Sequence, residues 1–231
     1  VSERGWVTFD LDGTLFDNTL RRFMVPGLEG ALLPRRRRRL RRRAGRAPSR
    51  LRTLRSRLGA PWLRAIRSVT LRSVVPRTFV YPEALTVLER VRAMGFRTAA
   101  VTNGYLVYQE PLLEALAIRP LLDRLVAPER VGVAKPDPRV WTEGLAGEAV
   151  RLHVGDRLLD DVAGAHEAGI AAAWIHRRPG PLSRRMRRRL ERVRPEVVAT
   201  DLWGILAYLE GQAHGAAAGT GRGSGEPPAG D

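Results

Sequence analysis

Residues 83–101 read Glu-Ala-Leu-Thr-Val-Leu-Glu-Arg-Val-Arg-Ala-Met-Gly-Phe-Arg-Thr-Ala-Ala-Val, and the change of period inside this stretch decides the fold. Leu85, Leu88, Val91 and Met94 recur at helical spacing as far as Gly95, a residue suited to end a helix. Residues 97–101 then read as a strand. The alternation continues on both sides. Upstream, residues 6–10 are a short apolar run ending in an acid. Downstream, helices are predicted over 106–116, 137–146, 158–168 and 202–209, and strands over 124–127, 150–154, 171–175 and 197–199. Pro136 and Pro138 mark the start of the second of these helices, and Gly169 stops the third. Strands alternating with helices predict an α/β fold: a doubly wound, mostly parallel, Rossmann-like sheet, with a mixed α+β sheet as the alternative.

The chain has 231 residues, enough for one sizeable core or a core with a small inserted module. It contains no cysteine, which excludes disulfides, thiolate metal sites and cysteine nucleophiles and fits a cytoplasmic location. No apolar run is long enough for a transmembrane helix, and residues 1–6 do not read as a secretory signal. The net charge of +16 is concentrated in two places. Residues 35–57 hold 13 Arg and no acid, residues 177–194 hold nine Arg and one acid, and without these stretches the remainder carries −5. Lys135 is the single lysine among 40 basic residues, so codon composition accounts for part of the arginine excess.

Ligands of open α/β sheets bind at the carboxyl ends of the strands. Four segments with chemical character fall at such ends. In Asp10-Leu11-Asp12-Gly13-Thr14, two carboxylates two residues apart share one side of an extended chain, and a divalent cation relieves their repulsion. Thr102-Asn103-Gly104 brings a hydroxyl and backbone N–H groups to a strand end, suited to a phosphate oxygen, or else to capping the next helix. Lys135-Pro136-Asp137-Pro138 supplies a compact cation. Gly155-Asp156 follows a strand, and Asp161 lies about one helical turn further on. His153, His166 and His176 show no metal-binding spacing and read as ordinary strand and helix residues.

These four segments resemble the four motifs of the haloacid dehalogenase superfamily, in particular of its phosphatase branch (phosphoglycolate phosphatase or nucleotidase type). The resemblance spans 6–17 and 78–175, roughly the whole α/β core. It implies a magnesium-dependent phosphomonoester hydrolase that forms an aspartyl-phosphate. It makes Asp10 the nucleophile and Asp12 the general acid and base. Thr102, the Asn103 amide and Lys135 hold the phosphoryl group. Mg²⁺ sits on Asp10, the Asp12 backbone carbonyl and Asp156, with Asp161 behind them. An acid at position 12 favours phosphate esters over halides, because a leaving halide needs no proton. Arg157 and Asp160 depart from the family pattern, which more often has Ser or Thr and Asn there.

The resemblance also implies the domain plan. Residues 1–17 and 80–211 form the core and 18–79 a helical Arg-rich cap inserted between the first and second motifs; the Gly, Ala and Pro content of 212–231, which the resemblance does not cover, reads as a disordered tail. The 35–57 run reads equally as a solvated basic arm. The expected partner is a small phosphate ester. The competing function is a polyanion-binding protein that uses the Arg stretches on nucleic acid or anionic membrane, without an evident base-stacking platform.

Overall fold

The computed structural model describes residues 4–17, 79–104, 106–177 and 180–219. The inserted segment and its Arg-rich run therefore lie outside the described residues, apart from residue 79. Six strands form one sheet: β1 (Trp6–Phe9), β2 (Arg97–Val101), β3 (Arg124–Val126), β4 (Val150–Gly155), β5 (Ala172–Ile175) and β6 (Val197–Ala199). Their order is β3-β2-β1-β4-β5-β6, and every neighbouring pair is parallel. The chain steps outward from β1 to β3, then returns to the other side of β1 for β4. The switch point between β1 and β4 is where a doubly wound sheet opens a crevice at its carboxyl edge.

Side chains alternate across the sheet, so β1 to β5 each feed two cores, while the edge strand β6 feeds one. In β1, Val7 and Phe9 enter one cluster with the buried faces of α1 (Ala84–Ala93), α2 (Leu106–Ala115) and α7 (Leu202–Gly219). Trp6 enters the other. There it meets Val140 and Trp141 of α4 (Arg139–Thr142), Leu158 and Val162 of a helical stretch described below, and Ala165 of α5 (Gly164–Glu167). Met186, Leu190 and Val193 of α6 (Arg184–Val193) pack on this second cluster. Both faces of the sheet are thus covered, as an all-parallel sheet requires. Each fully buried Leu, Val or Phe contributes about 1.5–3 kcal/mol.

Several elements depart from the sequence-based expectation. The helix expected over 137–146 is regular only at Arg139–Thr142. The turns after it end with Ala146 and Gly147 at φ 55° and 73°, a left-handed pair that closes the segment. The helix expected over 158–168 begins as a wider π-helical run, Leu158–Ala163, before α5. A short helix, α3 (Pro128–Val131), and a 3₁₀ turn, Arg119–Leu121, were not expected. Neither was α6, whose apolar positions 186, 190 and 193 have helical spacing hidden among arginines. Ser183 caps it by accepting from the Met186 amide at 3.2 Å. The disordered tail expected from 212 is corrected as well. Helix α7 runs on to Gly219, through Ala213 and Ala216–218, residues that favour helix without needing an apolar face. Residues 220–231 lie outside the described residues.

Candidate active site

The four segments singled out in the sequence meet at the carboxyl edge of the sheet, around β1, β2 and β4. Asp10 directly follows β1, and its amide donates to Val154 O of β4 at 2.8 Å. Its carboxylate faces Lys135 Nζ, 2.6 Å from Oδ1. An ammonium group has three protons, and here each has an acceptor. Lys135 Nζ also lies 2.6 Å from Asp161 Oδ1 and 2.6 Å from Val101 O, at the end of β2. The Lys135 and Asp161 side chains are each 1% exposed, so this is a desolvated pair, not a surface ion pair.

Asn103 fixes the loop that carries the lysine. Its Oδ1 accepts from the Lys135 amide at 2.8 Å, and its Nδ2 donates to Lys135 O at 2.9 Å. Thr102 is buried, and its Oγ1 accepts from the Gly104 amide at 2.9 Å, which leaves the hydroxyl proton to donate. Asp12 stands in the turn after β1, where Gln109 Nε2 of α2 donates to its Oδ2 at 3.0 Å.

Asp161 is held from three sides. Besides Lys135, its Oδ2 accepts from the Arg157 amide at 2.8 Å, and His153 Nε2 lies 3.5 Å from Oδ1. Gly155 makes this possible, because a Cβ at 155 would fall on the Asp161 carboxylate. The glycine therefore does more than let the strand turn. His153 also differs from its plain reading as an ordinary strand residue. It is fully buried, sits beside Thr8 in the β1–β4 register, and its Nδ1 lies 2.8 Å from Thr8 Oγ1. Burial lowers its pKa despite the hydrogen bond to Asp161. A neutral ring with Nε2–H toward Asp161 accepts a hydrogen bond from the Thr8 hydroxyl at Nδ1. Gln109 had no signal in the sequence, since only the tertiary fold brings it to Asp12.

Arg157 and Asp160, the two departures from the family pattern, pair with each other at 3.1 Å. The cation added beside the cleft is thus partly offset by the acid added next to it, in an exposed pair worth at most about 1 kcal/mol. Arg157 Nε also lies 4.0 Å from Asp156 Oδ1.

The electrostatics favour a cation. Carboxylate oxygens of Asp10, Asp156 and Asp161 lie within 4.8 Å of one another, against the single Lys135 ammonium. Asp156 Oδ1 is buried with no hydrogen-bond partner. Burial, with the Asp161 carboxylate adding, pushes the Asp156 carboxyl up to about 6. Burial also raises Asp10, helped by Asp161 and Asp156 and opposed by Lys135. A hard divalent ion on these oxygens would reverse both shifts and satisfy the orphaned atom. His166 and His176 lie apart from this cluster: His166 pairs with Glu196 at 3.0 Å, and His176 stacks on Trp174.

The curated relatives include a glyceraldehyde 3-phosphate phosphatase of Methanopyrus kandleri, 37% identical over 101 residues (42% of this chain and 43% of the relative). They also include pyrimidine 5'-nucleotidase YjjG of Escherichia coli, 36% identical over 107 residues (43% and 47%). The matched stretch thus spans less than half the length of these relatives. Among solved structures, a haloacid dehalogenase phosphatase from Thermococcus onnurineus superposes with a TM-score of 0.58 at 24% identity. The match covers 88% of this chain and 96% of that one, a likeness of fold. The family model described as haloacid dehalogenase-like hydrolase matches residues 6–169, most of the chain, and the chain belongs to that family.

Proposed function

We propose that the protein is a phosphomonoester hydrolase acting on a small phosphorylated metabolite, with Mg²⁺ as cofactor and Asp10 as nucleophile. The observation that carries this reading is the buried Asp10–Lys135–Asp161 cluster beside Asp156, with a second acid, Asp12, two residues beyond the nucleophile. Lys135 orients the Asp10 carboxylate and opposes the rise that burial imposes on it. Asp10 attacks phosphorus and forms the acyl phosphate while Asp12 gives a proton to the departing oxygen. Asp12 then takes a proton from the water that cleaves the intermediate. The Thr102 hydroxyl, the Asn103 amide and Lys135 stabilise the phosphoryl oxygens. Asp10, Asp156 and the Asp12 carbonyl would hold the metal, with Asp161 supporting them. When bound, it supplies positive charge to the phosphoryl oxygens. Relatives named as phosphatases and a nucleotidase support this class.

On this reading residues 18–79 form the cap that selects the substrate, and the core is built from 1–17 and 80–219. The test is a panel of sugar, nucleotide, triose and amino-acid phosphates assayed with Mg²⁺, with and without chelator. Chelator-sensitive phosphate release from at least one of them is expected. No release from any, by folded protein, would overturn the reading.

A second reading, polyanion binding, rests on α6. Arg184, Arg185, Arg188 and Arg192 are exposed on it, and among the described residues none of these arginines has an ion pair.

A further inference from the structure

We propose that Gln109 is a positioning residue for Asp12, which it holds so that the catalytic proton is carried on one defined carboxyl oxygen. The inference rests on the reading of Asp12 as acid and base given above. Gln109 belongs to none of the four motifs. It lies on α2, is 5% exposed, and its Nε2 donates to Asp12 Oδ2 at 3.0 Å across 97 residues of sequence.

The surroundings are shaped for this contact. A Cβ at Gly104 would land on the Gln109 amide nitrogen and lie 3.0 and 3.1 Å from its Cγ and Cδ. The Thr102–Gly104 turn thus leaves its third residue bare where the glutamine passes. Gln109 Oε1 is buried with no hydrogen-bond partner. A residue present only to fill space would not carry an unpaired buried acceptor, and leucine would fill the space without one. What glutamine adds is the N–H to Asp12.

That donor suits both protonation states of Asp12. A carboxylate accepts on either oxygen, whereas a carboxylic acid accepts on its carbonyl oxygen and donates from the other. With Gln109 N–H on Oδ2, Oδ2 is the carbonyl oxygen of the acid and the proton resides on Oδ1. In the first step an Asp10 oxygen bonds to phosphorus, the ester P–O bond breaks, and the Oδ1 proton passes to the departing oxygen. In the second, water oxygen bonds to phosphorus, the bond to Asp10 breaks, and the water proton returns to Oδ1. Gln109 gives up no proton in either step. Without it the carboxyl group loses the donor that marks Oδ2 as the carbonyl oxygen.

The test is single-turnover kinetics of wild type, Gln109→Leu, Asp12→Asn and the double variant, each with an alkyl and an aryl phosphate. Misplacement of a catalytic group by about 1 Å costs on the order of 10²-fold. Gln109→Leu is expected to slow phosphoryl transfer from the alkyl ester by about 10–10²-fold, and from the aryl ester much less, with KM little changed. In the Asp12→Asn background it should add nothing, because the two residues act as one unit. Equal slowing of both esters, or full additivity in the double variant, would overturn the inference while leaving Asp12 as the acid. An Asp12→Asn variant as fast as wild type on the alkyl ester would instead overturn the reading of Asp12, and Gln109 with it. Gln109→Met, flexible and of similar volume, repeats the series if the leucine variant melts early.

Discussion

Two concentrations of charge lie among the described residues, and they are built in opposite ways. At the carboxyl edge of β1 and β4, the Asp10 and Asp161 carboxylates crowd around one lysine, are buried, and have assigned partners. On α6, six arginines and one glutamate share ten residues, and the arginine side chains lie outward over Met186, Leu190 and Val193. Helix α6 carries +5 of the +16 net charge, whereas the proposed chemistry uses the first kind. Charge in water is cheap and screened, while charge withdrawn from water must be paired and therefore fixes geometry. Catalysis needs the fixed geometry.

If that contrast is right, substitutions in the cluster have large effects and substitutions on α6 have small ones. Asp10→Asn has the largest: turnover falls below detection while the melting curve stays cooperative, because an amide does not act as the nucleophile. Unchanged hydrolysis by the folded variant would break the comparison at once.

Lys135→Met comes next and affects stability as well as rate. It leaves the buried Asp10 and Asp161 carboxylates facing each other without their cation. Breaking a buried pair in this way costs about 3–5 kcal/mol. Denaturant unfolding without metal should show the loss, and turnover should fall by about 10²–10³-fold. A variant as stable as wild type would mean that the cluster is not held by its charges.

Asp12→Asn sharpens the account further, since its effect depends on the substrate. General acid catalysis contributes about 10²–10⁴-fold, and chiefly when the leaving oxygen is a poor one. Single-turnover phosphoryl transfer should slow far more with an alkyl ester than with an aryl ester. Equal slowing would reduce Asp12 to a structural role.

The smallest effect on activity is expected on α6. Replacing Arg184, Arg185, Arg188, Arg189 and Arg192 with Gln should leave hydrolysis of a small ester unchanged. It should also remove like-charge pairs four residues apart, each unfavourable by about 0.2–0.5 kcal/mol, so the melting temperature should hold or rise slightly. Binding to a polyanion, followed against salt concentration, should weaken and lose slope. Loss of activity together with polyanion binding would show that α6 serves the active site.

The sheet and the cluster were legible in the sequence for one reason: both depend on local pattern. Strand period, helix period and the acids and threonine at strand ends can each be read within a few residues, whereas Lys135, in the loop after α3, was read through the motif it resembles. What escaped reading depends on distant contact. His153 became part of the site only through the β1–β4 register that sets it beside Thr8, and Gln109 only because α2 passes over the turn holding Asp12. Helix α6 was hidden for another reason, since its three apolar positions are outnumbered by arginines on its outward side. Arg157 and Asp160, two separate oddities in the sequence, became one ion pair when folded.

The most direct test of the central claim is to find the covalent intermediate. Protein mixed with Mg²⁺ and an aryl phosphate is quenched in acid within a turnover, digested, and its peptides analysed by mass. The account predicts one added phosphoryl group on the peptide containing Asp10, located to Asp10 itself, and absent from Asp10→Asn protein and from samples treated with chelator. Hydrolysis of the ester at full rate, with Asp10 unmodified at every time point, would contradict it.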